Sequence, residues 1–253
     1  MIAVISPAKS IKFDEEIQAK NLTVPSFRKE SEALIAELRK IKVKDVSKLM
    51  DISDELGQLN FERYKTWKQP DLKNGAKPVS LVFKGDVYRG MNAADFSSAD
   101  FDFAQKHLRI LSGLHGLLRP LDVIFPYRLE MGTGLKTKAG KNLYEFWGDK
   151  ITEKLNEDLG KDDVLINLAS NEYFKVVHPK KLKAKIIACE FKDFKNGKYI
   201  SIMTFAKLAR GYMARYIVKN KIEKPEKLKG FDSNDYSFNA KMSDEVNWVF
   251  TRG

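Results

Sequence analysis

Short apolar runs that stop abruptly at polar residues constrain this chain more than any other feature. Ile2–Ile5 is stopped by Ser6-Pro7, Val79–Phe83 by Lys84, and Val164–Ala169 and Ile186–Phe191 have the same character. Runs this short and this apolar fit buried strands. Asn196-Gly197, between Phe194 and Tyr199-Ile200, is a two-residue hairpin signal. Helical stretches separate the strands. Asn142 is placed to cap a helix with Glu145 at the third position, and Leu143, Trp147, Ile151, Leu155 and Leu159 form its core stripe up to Gly160. A second helix is expected over 204–220, with Phe205, Leu208, Ala209, Tyr212, Met213, Tyr216 and Ile217 on one side. Lys207, Arg210, Arg215, Lys219 and Lys221 fall on the other, as one cationic ridge. A third helix is expected from Phe101 to Leu118. Asp45 to Trp67 reads as two helices joined at Met50–Ser53, the second capped by Ser53. The expected fold class is α/β, a mixed sheet with surrounding helices in a single compact domain over 1–253.

Charge narrows the function. The formal net charge is +11, and the segment from Lys175 to Lys229 holds sixteen Lys and Arg against only Glu190, Asp193, Glu223 and Glu226. The rest of the chain is therefore close to neutral. A field this one-sided attracts polyanions, whereas the bland alternative is a solvated lysine-rich surface. No apolar run approaches the roughly 20 residues needed to cross a bilayer. The N-terminus lacks the pattern of a secretion signal, so a cytoplasmic protein with no membrane partner is expected. Cys189 is the single cysteine, which leaves no internal disulfide and no cysteine-based zinc site, and its apolar flanks predict burial.

Familiar catalytic signatures are missing. His107, His115 and His178 are the three histidines, and none forms a pair at metal-binding spacing, so no metal site and no cofactor are expected. The chain has no phosphate-binding lysine loop, no dinucleotide-binding glycine pattern and no nucleophile elbow. Polar residues do follow three of the apolar runs: Ser6 and Lys9 after the first, Lys84 and Asp86 after the second, Asn171 and Lys175 after the third. If those strands are neighbours, their ends converge on one cleft. Arg128 and Glu130 are candidates to join it, the arginine as a bidentate phosphate ligand and the carboxylate as its orienter or as an acid-base group; a structural ion pair is the alternative.

Several segments carry a resemblance. Ile5–Lys9 (ISPAK), Phe83–Tyr88 (FKGDVY), Asp100–Asp122 (DFDFAQKHLRILSGLHGLLRPLD), Pro126–Gly132 (PYRLEMG), Leu143–Thr152 (LYEFWGDKIT) and Ile166–Lys175 (INLASNEYFK) resemble, in order, the YaaA family of bacterial peroxide-stress proteins. The Ala209-Arg210-Gly211 step continues the match, which covers nearly the whole chain. The resemblance implies a cytosolic protein that limits peroxide damage by lowering free iron, binds DNA in a positively charged cleft, and carries a helix-hairpin-helix-like element, here residues 45–67. It places Lys9, Lys84, Arg128, Lys175 and Arg210 in the basic cleft. With Lys207 and Arg215 from the ridge, these are the candidate phosphate contacts to double-stranded or structured DNA, bound without strong sequence specificity. Ser6, Asp86, Glu130 and Asn171 are the candidate polar residues of the same cleft. The alternative is an enzyme acting on a phosphorylated or nucleotide-like small molecule, an anionic ligand held in that cleft. The sequence assigns no catalytic residue.

Overall fold

Parallel strands at the centre of the molecule account for three of the four apolar runs. The computed structural model describes residues 1–17, 19–160 and 163–253. Its main sheet has eight strands. They are β1 (Ile2–Ile5), β2 (Leu108–Ser112), β3 (Gly116–Leu118), β4 (Val164–Leu168), β5 (Lys185–Lys195), β6 (Lys198–Ile200), β7 (Ser237–Phe238) and β8 (Asn247–Arg252). Their order is β7-β8-β5-β4-β1-β2-β3, with β6 folded back on β5. The pairs β1 with β2, β1 with β4, β4 with β5 and β5 with β8 are parallel, whereas β2 with β3, β5 with β6 and β7 with β8 are antiparallel. All four residues of β1 and all five of β2 are buried, as central strands covered on both faces must be.

The helices are α1 (Arg28–Leu38), α2 (Val43–Met50), α3 (Asp54–Thr66), α4 (Asp86–Met91), α5 (Ser98–His107), α6 (Leu143–Trp147), α7 (Lys150–Asp158) and α8 (Met203–Lys219). Val79–Val82 and Asn171–Phe174 are single helical turns. Sequence and structure agree on β1, β4, β5, the Asn196-Gly197 hairpin, the two helices within 45–67 and the long helix α8. Both hairpin residues have positive φ, 52° and 78°, as the tight turn requires. Cys189 is buried, and burial pushes its thiol up to about 12.

Three expectations need correction. The run Val79–Phe83 is not a strand of the sheet: it forms one helical turn, then Phe83–Lys84 pairs antiparallel with Ser10–Ile11. The expected helix over 101–118 ends at His107, and the rest becomes β2 and β3. An apolar run does not by itself distinguish a buried helix from a buried strand. Gly116 decides here, since its φ of 66° turns the chain between the two strands and Trp147 fills the space its side chain would take. The expected helix over 142–160 is two, α6 and α7, broken at Gly148 with φ of 48°. Its cap is as expected: the Asn142 side chain accepts the Glu145 N–H. His115 is wholly buried, bonded through Nδ1 to Ser31 Oγ at 3.0 Å, and burial pulls it down to about 3.

Candidate functional site

Strand order places the site. From β1 the chain passes to β2 on one side, then returns to β4 on the other side and continues outward to β5 and β8. That reversal opens a crevice at the carboxyl ends of β1 and β4, where sheets of this kind hold ligands. Ile5 and Leu168 are in register at the ends of the two strands. Just beyond them, Ser6 Oγ accepts the Ser170 N–H at 2.9 Å, and the two hydroxyls lie 3.3 Å apart. Tyr88 of α4 donates to the Ser6 carbonyl at 3.1 Å, tying the loop to the helix above it.

Two glycines bring the cations to this crevice. At Gly90 of α4 a side chain would lie 2.3 Å from the Leu208 carbonyl, and at Gly211 of α8 it would lie 2.1 Å from the Val87 carbonyl. The helices therefore cross backbone to backbone, a distance that only glycine permits. This crossing sets Lys207 and Arg210 over a cavity of about 800 Å³, whose wall also includes Ser6, Lys9, Lys84, Asp86, Ser170 and Asn171. The first two polar pairs expected after the apolar runs thus do meet Asn171, although Phe83–Lys84 reaches the cleft from its own small ladder and not from the sheet.

The cations there are unequally compensated. Lys9 is 3.4 Å from Glu130, and Lys84 is 3.6 Å from Glu15. Among the described residues, neither Lys207 nor Arg210 has an ion-pair or hydrogen-bond partner, and Arg210 Nε is buried without an acceptor. Burial pulls the Arg210 guanidinium below its ordinary value, with Glu190 acting in the opposite sense, yet an arginine remains charged at neutral pH. Glu190 is itself 3.1 Å from Lys192. The wall's carboxylates are engaged too: Asp86 with Arg89 at 3.2 Å, and Glu172 with the Gly132 N–H at 3.0 Å.

Other candidates lie elsewhere. Arg128 binds Glu130 through Nε at 3.0 Å and through a terminal nitrogen at 2.9 Å, with both side chains largely buried. That is a structural pair that reaches the cleft only through Lys9. Lys175 lies over the Tyr144 ring, 4.9 Å from its centre, outside the cavity wall. Arg215 forms two bonds to Asp95, at 2.6 and 2.7 Å. Lys219 and Lys221 both bind Asp100. The single ridge read from the sequence is therefore two regions, one open and one neutralised. In the 45–67 segment, Asp51 takes the left-handed conformation between α2 and α3, and Ser53 caps α3 through the Leu56 N–H. α2 and α3 with their link carry four cations against five carboxylates.

Sequence reasoning missed Ser170, Tyr88, Glu172 and Met203 of the cavity wall. Ser170 had a signal, because it leaves β4 just as Ser6 leaves β1. Met203 had none: its 73% exposure at the start of α8 follows only from packing. Among the described residues, no cluster of three or more His, Cys, Asp or Glu side chains is placed to hold a metal ion, and no helix is long and apolar enough to cross a membrane.

Comparison with known proteins agrees along the chain. The family described as "Peroxide stress protein YaaA" matches residues 1–242. A relative from Teredinibacter turnerae, named UPF0246 protein, is 52% identical over 254 residues, covering 100% of this chain and 99% of its own. Another of that name from Saccharophagus degradans is 51% identical over 254 residues, with the same coverage. A third, from Paraburkholderia phytofirmans, is 50% identical over 256 residues, covering 100% of this chain and 98% of its own. Agreement this long and this close means that the chain belongs to the YaaA family of peroxide stress proteins.

Proposed function

We propose that this protein protects the cytoplasm under peroxide stress by holding DNA phosphates, without strong sequence preference, along the cationic rim of the switch-point cleft. DNA held there is shielded from iron-driven radical damage. The observation that carries this reading is the uncompensated charge of Lys207 and Arg210 beside Lys9 and Lys84, whereas Arg215 and Lys219 further along the same helix meet carboxylates. Lysines held only loosely by carboxylates at 3.4 and 3.6 Å exchange readily to phosphate oxygens. Contacts to backbone phosphates carry no base information, so affinity without sequence preference follows. The helix-hairpin-helix-like segment 45–67 is the weaker phosphate ligand, since its carboxylates outnumber its cations.

Fluorescence anisotropy with duplex, single-stranded, gapped and junction DNA across a salt series tests this. Contacts from the three lysines Lys9, Lys84 and Lys207 on duplex give log affinity a slope of about −2.7 against log salt. Replacing Lys9, Lys84 and Lys207 together by Glu is expected to abolish binding while the fold stays intact. Absence of salt-dependent binding at low ionic strength overturns the reading. A second reading, a small phosphorylated ligand in the same cleft, is favoured by the cavity's volume, which suits a mononucleotide better than a duplex.

A further inference from the structure

Resting on the small-ligand reading of the cleft, we propose that the inner part of the switch-point cavity is a phosphomonoester site, sized for a mononucleotide, in which Arg210 and Lys207 neutralise the phosphate and the Ser6–Ser170 pair orients it. The rim described above serves a polyanion. The inner site asks for something smaller.

Arg210 is the first reason. Other arginines with little exposure have acceptors: Arg109 holds Asp158 at 2.8 Å, Arg128 holds Glu130 at 2.9 Å, Arg252 holds Asp193 at 2.5 Å, and Arg63 donates to the Asn60 side-chain oxygen at 3.3 Å. Arg119 also has a buried Nε without an acceptor, yet its terminal nitrogen reaches Asp122 at 3.3 Å. Arg210 alone of these has no partner on any nitrogen among the described residues. A desolvated guanidinium with no acceptor is unfavourable unless a ligand completes it. Its planar fork matches two oxygens of a phosphate.

Charge matching is the second. A phosphomonoester carries close to two negative charges at neutral pH, since its second ionisation falls near pH 6. Lys207 lies one turn from Arg210 on the same face of α8, so the two supply matching charge from one rigid element. On the facing wall, Ser6 Oγ accepts the Ser170 N–H and donates to Ser170 Oγ. The Ser170 hydroxyl hydrogen is then left to donate to a ligand oxygen.

The remaining wall suits what a mononucleotide adds to its phosphate. Met203, Ala206, Tyr173 and Pro7 give it an apolar stretch, and Asp86 and Glu172 offer acceptors for sugar hydroxyls. A volume of about 800 Å³ lies within the usual range of small-ligand pockets.

The monoester has two sources, a free nucleotide or the terminal phosphate of a broken DNA strand. Calorimetric titration with deoxyadenosine monophosphate, against deoxyadenosine as control, reads the site directly. The nucleotide is expected to bind saturably, and the nucleoside at least about tenfold more weakly. Arg210→Gln is expected to weaken the nucleotide by about tenfold or more with the melting temperature unchanged or raised, and Lys207→Gln, at an exposed position, by several-fold. Anisotropy with short single strands bearing a 5′-phosphate or a 5′-hydroxyl separates the sources. Tighter binding of the phosphorylated strand supports a strand-end ligand, whereas saturable nucleotide binding with equal strands supports a free nucleotide. No saturable binding of either the nucleotide or the phosphorylated strand overturns the proposal, as does nucleotide binding unaffected by both variants. Covalently closed circular DNA contains no monoester, so binding to it reports on the rim alone and failure of one reading is told apart from failure of the other.

Discussion

Arg210 and Arg215 lie little more than one turn apart on α8, and their guanidinium groups meet opposite surroundings. Arg215 makes two bonds to Asp95 and lies 6.0 Å from the centre of the Phe96 ring, while Lys219 and Lys221 share Asp100, which also caps α5 through Ser97. That end of the helix is fastened to the loop before α5 and to α5 itself. Arg210, with Lys207, overhangs the switch-point cavity and, among the described residues, is fastened to no side chain or carbonyl. A basic ridge in a sequence is thus a mixture of braces and ligands, and only the carboxylates it meets tell them apart. Charge that is neutralised locally holds the fold; charge left bare near a cavity is available to a partner.

The largest expected effect removes both halves at once. Gly211→Ala forces a side chain against the Val87 carbonyl and separates α4 from α8; a loss of about 3 kcal/mol in urea unfolding is expected, together with loss of binding in the cleft. Asp100→Ala attacks only the braced half. It removes a helix cap and the partner of two lysines, for an expected loss of about 2 kcal/mol with DNA binding unchanged.

The same residue predicts a pH dependence. Partial burial raises the Asp100 pKa, but bonds from Lys221, the Ser97 backbone and Lys219 outweigh that and hold it well below the usual carboxylate range. A depressed native value means that its contribution is present above the unfolded pKa, near 4, and is lost as pH falls toward the native value. The stability gap between the parent protein and Asp100→Ala should therefore narrow below about pH 4, as denaturation midpoints measured against pH will check.

Smaller and sharper is the matched pair Arg215→Gln and Arg210→Gln. Arg215→Gln is expected to destabilise by about 1 kcal/mol and leave ligand binding alone, since its ion pair is partly exposed. Arg210→Gln is expected to leave stability level or raise it by up to about 1 kcal/mol, because it removes a desolvated charge with no acceptor, and to weaken anion binding. Equal destabilisation by both changes would break the comparison and make Arg210 another brace.

How far the molecule was legible from its residues differs by element. Asn142 and Ser53 announced their caps because capping depends on neighbours three positions away. Asn196-Gly197 announced its turn for the same local reason. The stretch 108–118 did not announce its strands, because an apolar run satisfies a buried helix and a buried strand alike. Gly148 was read past, since the apolar stripe of 143–159 continues across the break. At the cleft, Ser6, Lys9, Lys84, Asp86 and Asn171 were recognisable as polar residues following apolar runs, whereas Arg128 and Lys175 share that local character and sit outside the cavity wall.

By itself the sequence determined the α/β class, the burial of Cys189, the basic bias of 175–229 and the family, since composition, periodicity and aligned identity are properties of residues in order. Only the tertiary structure decided which cations are braces and which face a cavity. Arg215 and Asp95 are 120 positions apart, and Ser6 and Ser170 are 164 apart. Such pairs come together only when the sheet sets β4 beside β1 and two glycines let α8 settle on α4, and no local pattern encodes a distance of that kind.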